Sequence, residues 1–371
     1  MPTLQRIIVQ DFRNIEMQEI EFSPNVNCIS GGNGEGKTNL LDAIYYLSMT
    51  KSAQGGNDKF NFRHGQGSFA IGGSYLMSNG TRSDFSIEVN ADGEKKLRRD
   101  GKPCPRISDH IGRLPIVLVS PSDISMVSES GEERRRFVNA VLSQMDASYL
   151  SAIQQYNRML LQRNRLLKNP SPDPELISVF DAGMAPVART IHEKRKKFCE
   201  ELLPTVKEYY NAISGGHEDV SIEYVSDLEK AGLEEILASH RDRDLALRYT
   251  SCGIHRDDFI FTMDGHPIRK CGSQGQQKSF LVALKFAQYE IMKQVYGFPP
   301  ILLLDDLFDK LDMNRVANLL KMVAGNDFGQ IFLSDSNKVR ISALVDGITA
   351  DRCYLRAEAG KFINASDDEQ N

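Results

Sequence analysis

The chain opens on alternation. Leu4, Arg6, Ile8 and Gln10 interleave with Gln5, Ile7 and Val9, the period of two that a half-buried strand requires. Residues 3–30 read as strands, the last of them a short apolar run, Asn27-Cys28-Ile29-Ser30, that stops at glycines. The period then lengthens. Leu40, Leu41, Ile44 and Leu47 recur at helical spacing over residues 39–49. Residues 50–67 are rich in glycine and polar side chains and read as a loop. Alternation returns in FAIGGSYL and TRSDFSIEV over residues 68–89, and Asp92-Gly93 and Asp100-Gly101 mark turns. Residues 114–120 form a second buried strand, stopped by Pro121.

The texture changes at residue 129. Residues 129–169 are helical with almost no glycine, and NPSPDP at 169–174 is a clear break. Residues 175–211 are helical again, with Pro186 and Pro204 expected to interrupt them. Ser214-Gly215-Gly216 ends that run. Residues 221–225 read as a strand and 228–248 as a further helical stretch. From 250 onward the α/β character resumes. Residues 257–263 and 267–270 form a hairpin about Asp264-Gly265, 276–295 a helix, 301–304 a buried strand, 314–323 a helix and 331–333 a strand. The expected organisation is an α/β chain interrupted by a mainly helical lobe. Its parts are residues 1–122, a helical arm at 123–250, a C-terminal α/β part at 251–364, and a polar tail at 365–371.

Composition narrows the class. The 371 residues are 41% hydrophobic and 26% charged, the balance of a globular protein. Apolar runs are far short of the roughly 20 residues of a membrane span, and Asp11 and Arg13 come too early for a signal-peptide core. A cytoplasmic protein without a membrane partner is expected. Six scattered cysteines lack C-x-x-C spacing, so reduced thiols fit better than a zinc site. The net charge of −5 excludes a uniformly basic surface but not a local one.

Chemistry enters with Gly31-Gly32-Asn33-Gly34-Glu35-Gly36-Lys37-Thr38, which fits G-x-x-x-x-G-K-[ST] in full. Glycines let the backbone wrap so that its N–H groups form an anion nest, and the following helix points its positive end at the phosphates. Lys37 reaches the β- and γ-phosphates, and the Thr38 hydroxyl offers a Mg²⁺ ligand. The strand before and the helix after are the context this motif needs. The loop does not itself distinguish ATP from GTP. A guanine reader would be N-K-x-D, and Asn337-Lys338-Val339-Arg340 lacks the aspartate, which favours ATP.

The second half of the site lies far downstream. Ile301 to Leu304 are all apolar and end in Asp305-Asp306. Such a strand is buried on both faces of a parallel sheet, and its C-terminal end is where these sheets bind ligands. Asp305 suits Mg²⁺, held through water, and Asp306 suits orientation or deprotonation of an attacking water. Ser273-Gln274-Gly275-Gln276-Gln277-Lys278 opens a helix 32 residues before Asp305. Ser273 suits an N-cap, and Gly275 admits backbone to a phosphate.

The order of phosphate loop, SQGQQ, LLLDD and Leu311-Asp312 is that of an ABC-type ATPase. With DFRN (11–14), GGNGEGKTNLLDAIYYLS (31–48), SPSDISMVSESGEERRRFVN (120–139), GIHRDD (253–258), SQGQQK (273–278) and LLLDDLFDKLD (302–312), the sequence resembles the RecF family of bacterial recombination mediators, within the structural-maintenance-of-chromosomes and ABC ATPase superfamily. The resemblance implies an ABC/Rad50-like ATPase head with an inserted helical arm. It implies ATP-driven homodimerisation, weak DNA-stimulated ATP hydrolysis acting as a switch, and binding at single-strand gaps and single–double-strand junctions. It also implies partnership with RecO and RecR in loading recombinase, in recombinational repair and replication-fork maintenance. By position, residues 31–38 hold the nucleotide, with Mg²⁺ at Thr38 and Asp305 and water at Asp306. Ser273, Gly275 and Gln276 complete the site of the opposite subunit, and Asp312 lies in a dimer-contact loop.

Four departures from that pattern matter. Lys51-Ser52 is followed by Ala53-Gln54 instead of His-Arg, and Ser122 replaces a glutamate. Asp306 stands where many relatives have glutamate, so hydrolysis should be slow. Ser334-Asp335 stand where many have histidine, leaving the γ-phosphate sensor unassigned. Arg134-Arg135-Arg136, residues 194–197 and Lys95-Lys96 with Arg98-Arg99 are the cationic clusters; each reads as a solvated face or, collectively and doubled in a dimer, as a DNA surface. No base-reading module is visible. Two other classes share the motifs, a transporter's nucleotide-binding subunit and a chromosome-tethering protein. The first is disfavoured by the long insert between Lys37 and Ser273, the second by the absence of heptad repeats.

Overall fold

The computed structural model describes residues 1–306, 329–337 and 351–364. The helix expected at 314–323, Asp312 and the tail from 365 lie outside the described residues. The chain divides into two compact units, Met1–Asp123 with Lys285–Asn371, and Ile124–Leu284.

The first unit begins with β1 (Thr3–Phe12), β2 (Ile15–Glu21), β3 (Val26–Ser30), α1 (Lys37–Met49), β4 (Ser68–Leu76), β5 (Arg82–Asn90), β6 (Lys95–Arg99), β7 (Lys102–Pro103) and β8 (Ile116–Val119). The second contains α2 (Ser125–Ser128), α3 (Gly131–Met145), α4 (Ala147–Leu167), α5 (Pro174–Ser214), β9 (Val220–Val225), α6 (Leu233–Ser239), α7 (Arg241–Leu247), β10 (Asp258–Met263), β11 (His266–Pro267) and α8 (Ile268–Cys271). The division falls inside α9 (Gln274–Tyr296), after which β12 (Ile301–Asp305), β13 (Ile331–Asp335), β14 (Arg352–Glu358) and β15 (Lys361–Asn364) return to the first unit.

Two six-stranded sheets build the first unit. One is antiparallel, in the order β2-β1-β4-β5-β6-β7. The other runs β15-β14-β3-β13-β12-β8, parallel except for β15. Helix α1 lies between them, touching β1, β4 and β5 of one and β8, β12 and β13 of the other. Its close approach explains Gly73 in β4, where a Cβ would stand 2.5 Å from the Leu47 methyl. Ile301, Leu302, Leu303 and Leu304 are buried, as an all-apolar parallel strand should be.

Strands β1 to β5, β8, β12 and β13 and the first helix fall where the sequence pattern puts them, while β6 and β7 occupy a stretch read only for its two turns. Strands β14 and β15 have no counterpart in that reading. Leu355 and Ala357 are buried while Arg356 and Glu358 are exposed, an alternation too short to stand out. Ala359 and Gly360 have φ of 49° and 81°, the paired left-handed conformation of a two-residue hairpin turn.

In the second unit, residues 129–169 resolve into α3 and α4, divided at Asp146, whose carboxylate caps Ser148 and Tyr149. Pro186 and Pro204 do not interrupt α5, which is continuous. Both prolines are exposed, as are Ala182 and Glu200 one turn before. The carbonyls that lose a partner therefore face water, and a buried stripe from Ile177 to Ile213 holds the helix. The stretch 228–248 is two short helices with a single 3₁₀ turn before them. The second arm of the hairpin at 266–271 is a two-residue strand followed by a helical turn. Residues 251–284, expected with the C-terminal α/β part, belong to the second unit because β10 completes a sheet with β9 and β11.

The cationic clusters are largely paired within the chain, Lys95, Lys96 and Arg99 of the third with Asp58, Glu94 and Asp100. Arg195 is buried and donates to Asp257 and to the Ile254 carbonyl, both at 2.7 Å. Arg134 is buried against Asp258 through two hydrogen bonds, 2.8 and 3.0 Å. Arg135 donates to the Asp257 carbonyl, Arg136 pairs with Glu132 and Glu133, and Lys194, Lys196 and Lys197 pair with Asp146, Glu229 and Glu201. The GIHRDD segment, an ordinary polar turn on sequence grounds, is the anionic centre these arginines need. Within it, His255 donates from Nε2 to the Thr250 carbonyl and accepts from the Tyr156 hydroxyl at Nδ1.

Burial holds the His255 imidazole neutral, down to about 4 from 6.5. A depressed value means the unfolded chain takes up the proton first, so this contribution is present above pH 6.5 and lost as pH falls toward 4. Thermal unfolding of wild type and His255→Gln across that window is expected to show the steeper acid loss in wild type. Identical pH slopes would contradict the assignment.

Candidate functional site

The phosphate loop joins β3 to α1, and Asp305 ends β12. Strand β13 lies between β3 and β12, so both halves of the site emerge at the same end of one parallel sheet. The loop is shaped by contacts that exclude side chains. A Cβ on Gly31 would stand 2.6 Å from the Ala357 carbonyl oxygen. Gly36 has φ of 108°, and a Cβ there would meet the Asn14 amide at 2.9 Å. Asn14 in turn accepts from Asn39 at 2.7 Å. Glu35 ties the loop to the hairpin of β14 and β15: its carboxylate accepts from the Ala359 N–H, and its carbonyl from the Gly360 N–H at 2.9 Å. Gly32, Asn33 and Gly34 form the exposed crest.

Lys37 is buried at 4% exposure, and its ammonium donates to the Gly31 and Gly32 carbonyls at 2.7 and 2.9 Å. Asp305 is buried at 3% exposure and accepts from Thr38 Oγ1 at 2.8 Å and from Ser334 Oγ at 2.5 Å. Burial raises the Asp305 carboxyl above its ordinary value, opposed by the Ser334 and Thr38 hydrogen bonds and by the Lys37 charge. Among the described residues no ion pair joins Lys37 to Asp305. Each charge is therefore met by neutral groups, a costly state for buried ions.

Asp306 follows in the left-handed region, φ 40°. Its N–H donates to the carbonyl and the hydroxyl of Ser334, at 3.2 and 3.1 Å. Ser334 therefore positions both acids, a role the sequence does not disclose, because the register β12–β13 that pairs Asp305 with Ser334 is a tertiary fact. A non-glycine residue held at positive φ costs on the order of 1–2 kcal/mol, a strain that concentrates at functional sites.

Arg13 of the DFRN segment was not singled out from the sequence. Also at positive φ, 53°, it pairs with Asp42 at 2.8 Å and donates to Ser52 at 2.9 Å and Gln54 at 2.6 Å. Asp42 is buried and accepts from Ser52 Oγ and the Ala53 N–H. The segment Lys51-Ser52-Ala53-Gln54, which departs from the family pattern, is thus anchored to the helix of the phosphate loop through Arg13.

Ser273, Gly275 and Gln276 lie in the second unit, at the start of α9. Ser273 and Gln276 form a reciprocal capping box: the Ser273 N–H donates to Gln276 Oε1 at 2.8 Å and the Gln276 N–H to Ser273 Oγ at 3.3 Å. Gln276 Nε2 also donates to Glu218 at 2.8 Å. Ser273 and Gln274 are exposed, so the positive end of a 23-residue helix faces solvent.

Thr38 Oγ1 and the Asp305 carboxylate converge as a hydroxyl and a buried anion should around a hard cation. These are the residues that would hold Mg²⁺ beside a bound nucleotide. Thr38→Ala is expected to weaken ATP binding about 10-fold with Mg²⁺ present, about 1.4 kcal/mol, and to leave binding in EDTA unchanged. Equal weakening in both, measured by equilibrium titration, would contradict the cation assignment.

A family model described as the RecF/RecN/SMC N terminal domain matches residues 3–343. The DNA replication and repair protein RecF of Bacteroides fragilis is 41% identical over 368 residues, 99% of this chain and 100% of the relative. The RecF of Bacteroides thetaiotaomicron is 42% identical over the same shares. A solved structure of the recombination mediator protein RecF with ATP superposes with a TM-score of 0.88 at 28% identity, covering 98% of this chain and 97% of that one. The Smc head domain of Pyrococcus furiosus shares the fold alone, with a TM-score of 0.58 at 15% identity over 100% of this chain and 98% of that one. With 41% identity along its whole length to proteins of that name, the chain belongs to the RecF family.

Proposed function

We propose that the chain is an ATP-dependent DNA-binding protein of DNA replication and repair, acting in a RecF–RecO–RecR type pathway. One observation carries the nucleotide reading: a buried lysine at the end of the phosphate loop and a buried aspartate beside its helix, neither in an ion pair among the described residues. A Mg²⁺–triphosphate supplies both, the anion to Lys37 and the cation to Asp305. The backbone of residues 31–36 and the helix behind it supply the rest of the anion nest. The solved relative with ATP supports the choice of nucleotide.

The switch follows from where the parts lie on the chain. Ser273, Gly275 and Gln276 present an exposed helix N-terminus, a fitting partner for a γ-phosphate held by a second copy. ATP then favours a homodimer with two composite sites. Asp306, with Ser334 fixing its backbone, orients the attacking water, and Mg²⁺ when bound neutralises charge on the transferring phosphoryl. Aspartate reaches less far than glutamate, so turnover is slow and ATP acts as a timer. The dimer binds DNA at single-strand gaps and junctions and helps RecO and RecR load recombinase, and hydrolysis releases it. A cytoplasmic location goes with this function. No described helix is long and apolar enough to cross a membrane.

Sedimentation with and without ATP–Mg²⁺ and gapped DNA tests this reading. Wild type and Asp306→Asn are expected to dimerise with ATP and to bind DNA as dimers, the variant persistently. Lys37→Met is expected to stay monomeric. A wild type that binds ATP yet stays monomeric with DNA present would overturn the switch.

A further inference from the structure

With the cations at residues 134–136 and 194–197 held in hydrogen bonds and ion pairs, though Arg136 and Lys197 stay exposed, the exposed cations of the second unit without an ion pair among the described residues sit elsewhere. Helix α4 carries no aspartate or glutamate between Ala147 and Leu167. Its buried stripe is Tyr149, Ile153, Tyr156, Arg163 and Leu167. On the opposite face, Arg158 and Arg165, seven residues apart, and Lys168, three further on, form one exposed stripe. None of the three has an ion-pair partner among the described residues.

The same helix anchors a second basic element. Asn164 accepts from the Thr250 N–H at 2.8 Å and the Thr250 hydroxyl at 2.7 Å. From the buried side Arg163 donates to Thr250 Oγ1 at 2.8 Å, to Asp244 at 2.7 Å and to Asp181 at 2.6 Å. Three anchors on one residue, with His255 on its carbonyl, are more than a loop needs merely to close. The residues they hold in place are Arg248 and Tyr249, both exposed. Arg248 sits in the left-handed region at φ 59°. Tyr249 is 40% exposed, and the Arg256 guanidinium lies over its ring at 5.4 Å. Between Arg241 and Arg256 the exposed acid is Asp242, while Asp244 is buried and paired.

Open guanidinium groups beside an exposed aromatic ring, on an acid-free helix face, have the chemistry of a nucleic-acid backbone site. We propose that this face of the second unit, formed by Arg158, Arg165, Lys168, Arg248 and Arg256 around Tyr249, grips the DNA. The inference rests on the DNA-binding reading above and names its surface. The arginines contact phosphates without regard to sequence, and Tyr249 stacks on an unpaired base or sugar at a gap.

Fluorescence anisotropy with labelled gapped DNA, at several salt concentrations with ATP–Mg²⁺, tests it. The proteins are full-length wild type, the pair Arg158→Glu and Arg165→Glu, the pair Arg248→Glu and Arg256→Glu, Tyr249→Ala, and a control pair Arg136→Glu and Lys197→Glu. ATP affinity is measured on each. Each patch pair is expected to lose at least about 10-fold in DNA affinity and roughly two in the slope of log K against log salt, with ATP affinity unchanged. Tyr249→Ala is expected to lose more on gapped than on duplex DNA. The control pair should stay within about 2-fold. If both patch pairs bind gapped DNA as wild type does, or if the control pair alone loses binding, this surface is wrong and the function stands. A wild type that binds no DNA overturns the function as well.

Discussion

Asp305 is a carboxylate kept out of water at the end of an all-apolar strand, and the site is arranged around the cost of that burial. Thr38 and Ser334 give it hydrogen bonds but no charge. Lys37, next to Thr38 at the start of α1, is a buried cation resting on carbonyl oxygens. Burying two ions without joining them is expensive, and the arrangement becomes favourable when a ligand carries both missing charges. For the proposed switch, that is the thermodynamic basis: what stabilises the ligand also stabilises the conformation able to hold it.

The second unit solves the opposite problem. Arg134, Arg163 and Arg195 are buried, and each meets carboxylates from distant parts of the chain. Asp257 and Asp258 draw α3 and α5 onto β10, and Asp244 and Thr250 draw the segment after α7 onto α4. With these buried arginines paired internally, the cations of α4 and of the segment after α7 face solvent without ion-pair partners among the described residues. The capping box at Ser273 and Gln276 shows the same economy: side chains satisfy the first turn of α9 and still leave its positive end in solvent.

Much of the first unit was legible because its signals are local. Alternation marks β1, β4 and β5, an apolar run marks β12, and glycine spacing marks the phosphate loop. The phosphate-loop residues and Asp305 come together as the motif implies. What was not legible depends on distant partners. Ser334 matters only because β13 pairs with β12. The basic clusters read as open surface because Asp257 and Asp258 are more than fifty residues from Arg195 and over a hundred from Arg134. The prolines of α5 read as breaks because their solvent-facing placement is a property of packing. Arg13 carries no sequence signal for its pairing with Asp42. The segment 251–284 reads as α/β and is so, but its sheet partner β9 places it with the helices.

The central claim is that one copy's phosphate loop and another copy's SQGQQ segment make one site. Mixing two defective proteins tests it most directly. Lys37→Met lacks a working phosphate loop but keeps Ser273, and Ser273→Arg keeps Lys37 but blocks the opposing segment. Sedimentation with ATP–Mg²⁺ should show each variant monomeric alone and a heterodimer in the mixture, since pairing leaves one intact composite site. A mixture that stays monomeric while wild type dimerises, or a Ser273→Arg protein that dimerises alone, would contradict the claim.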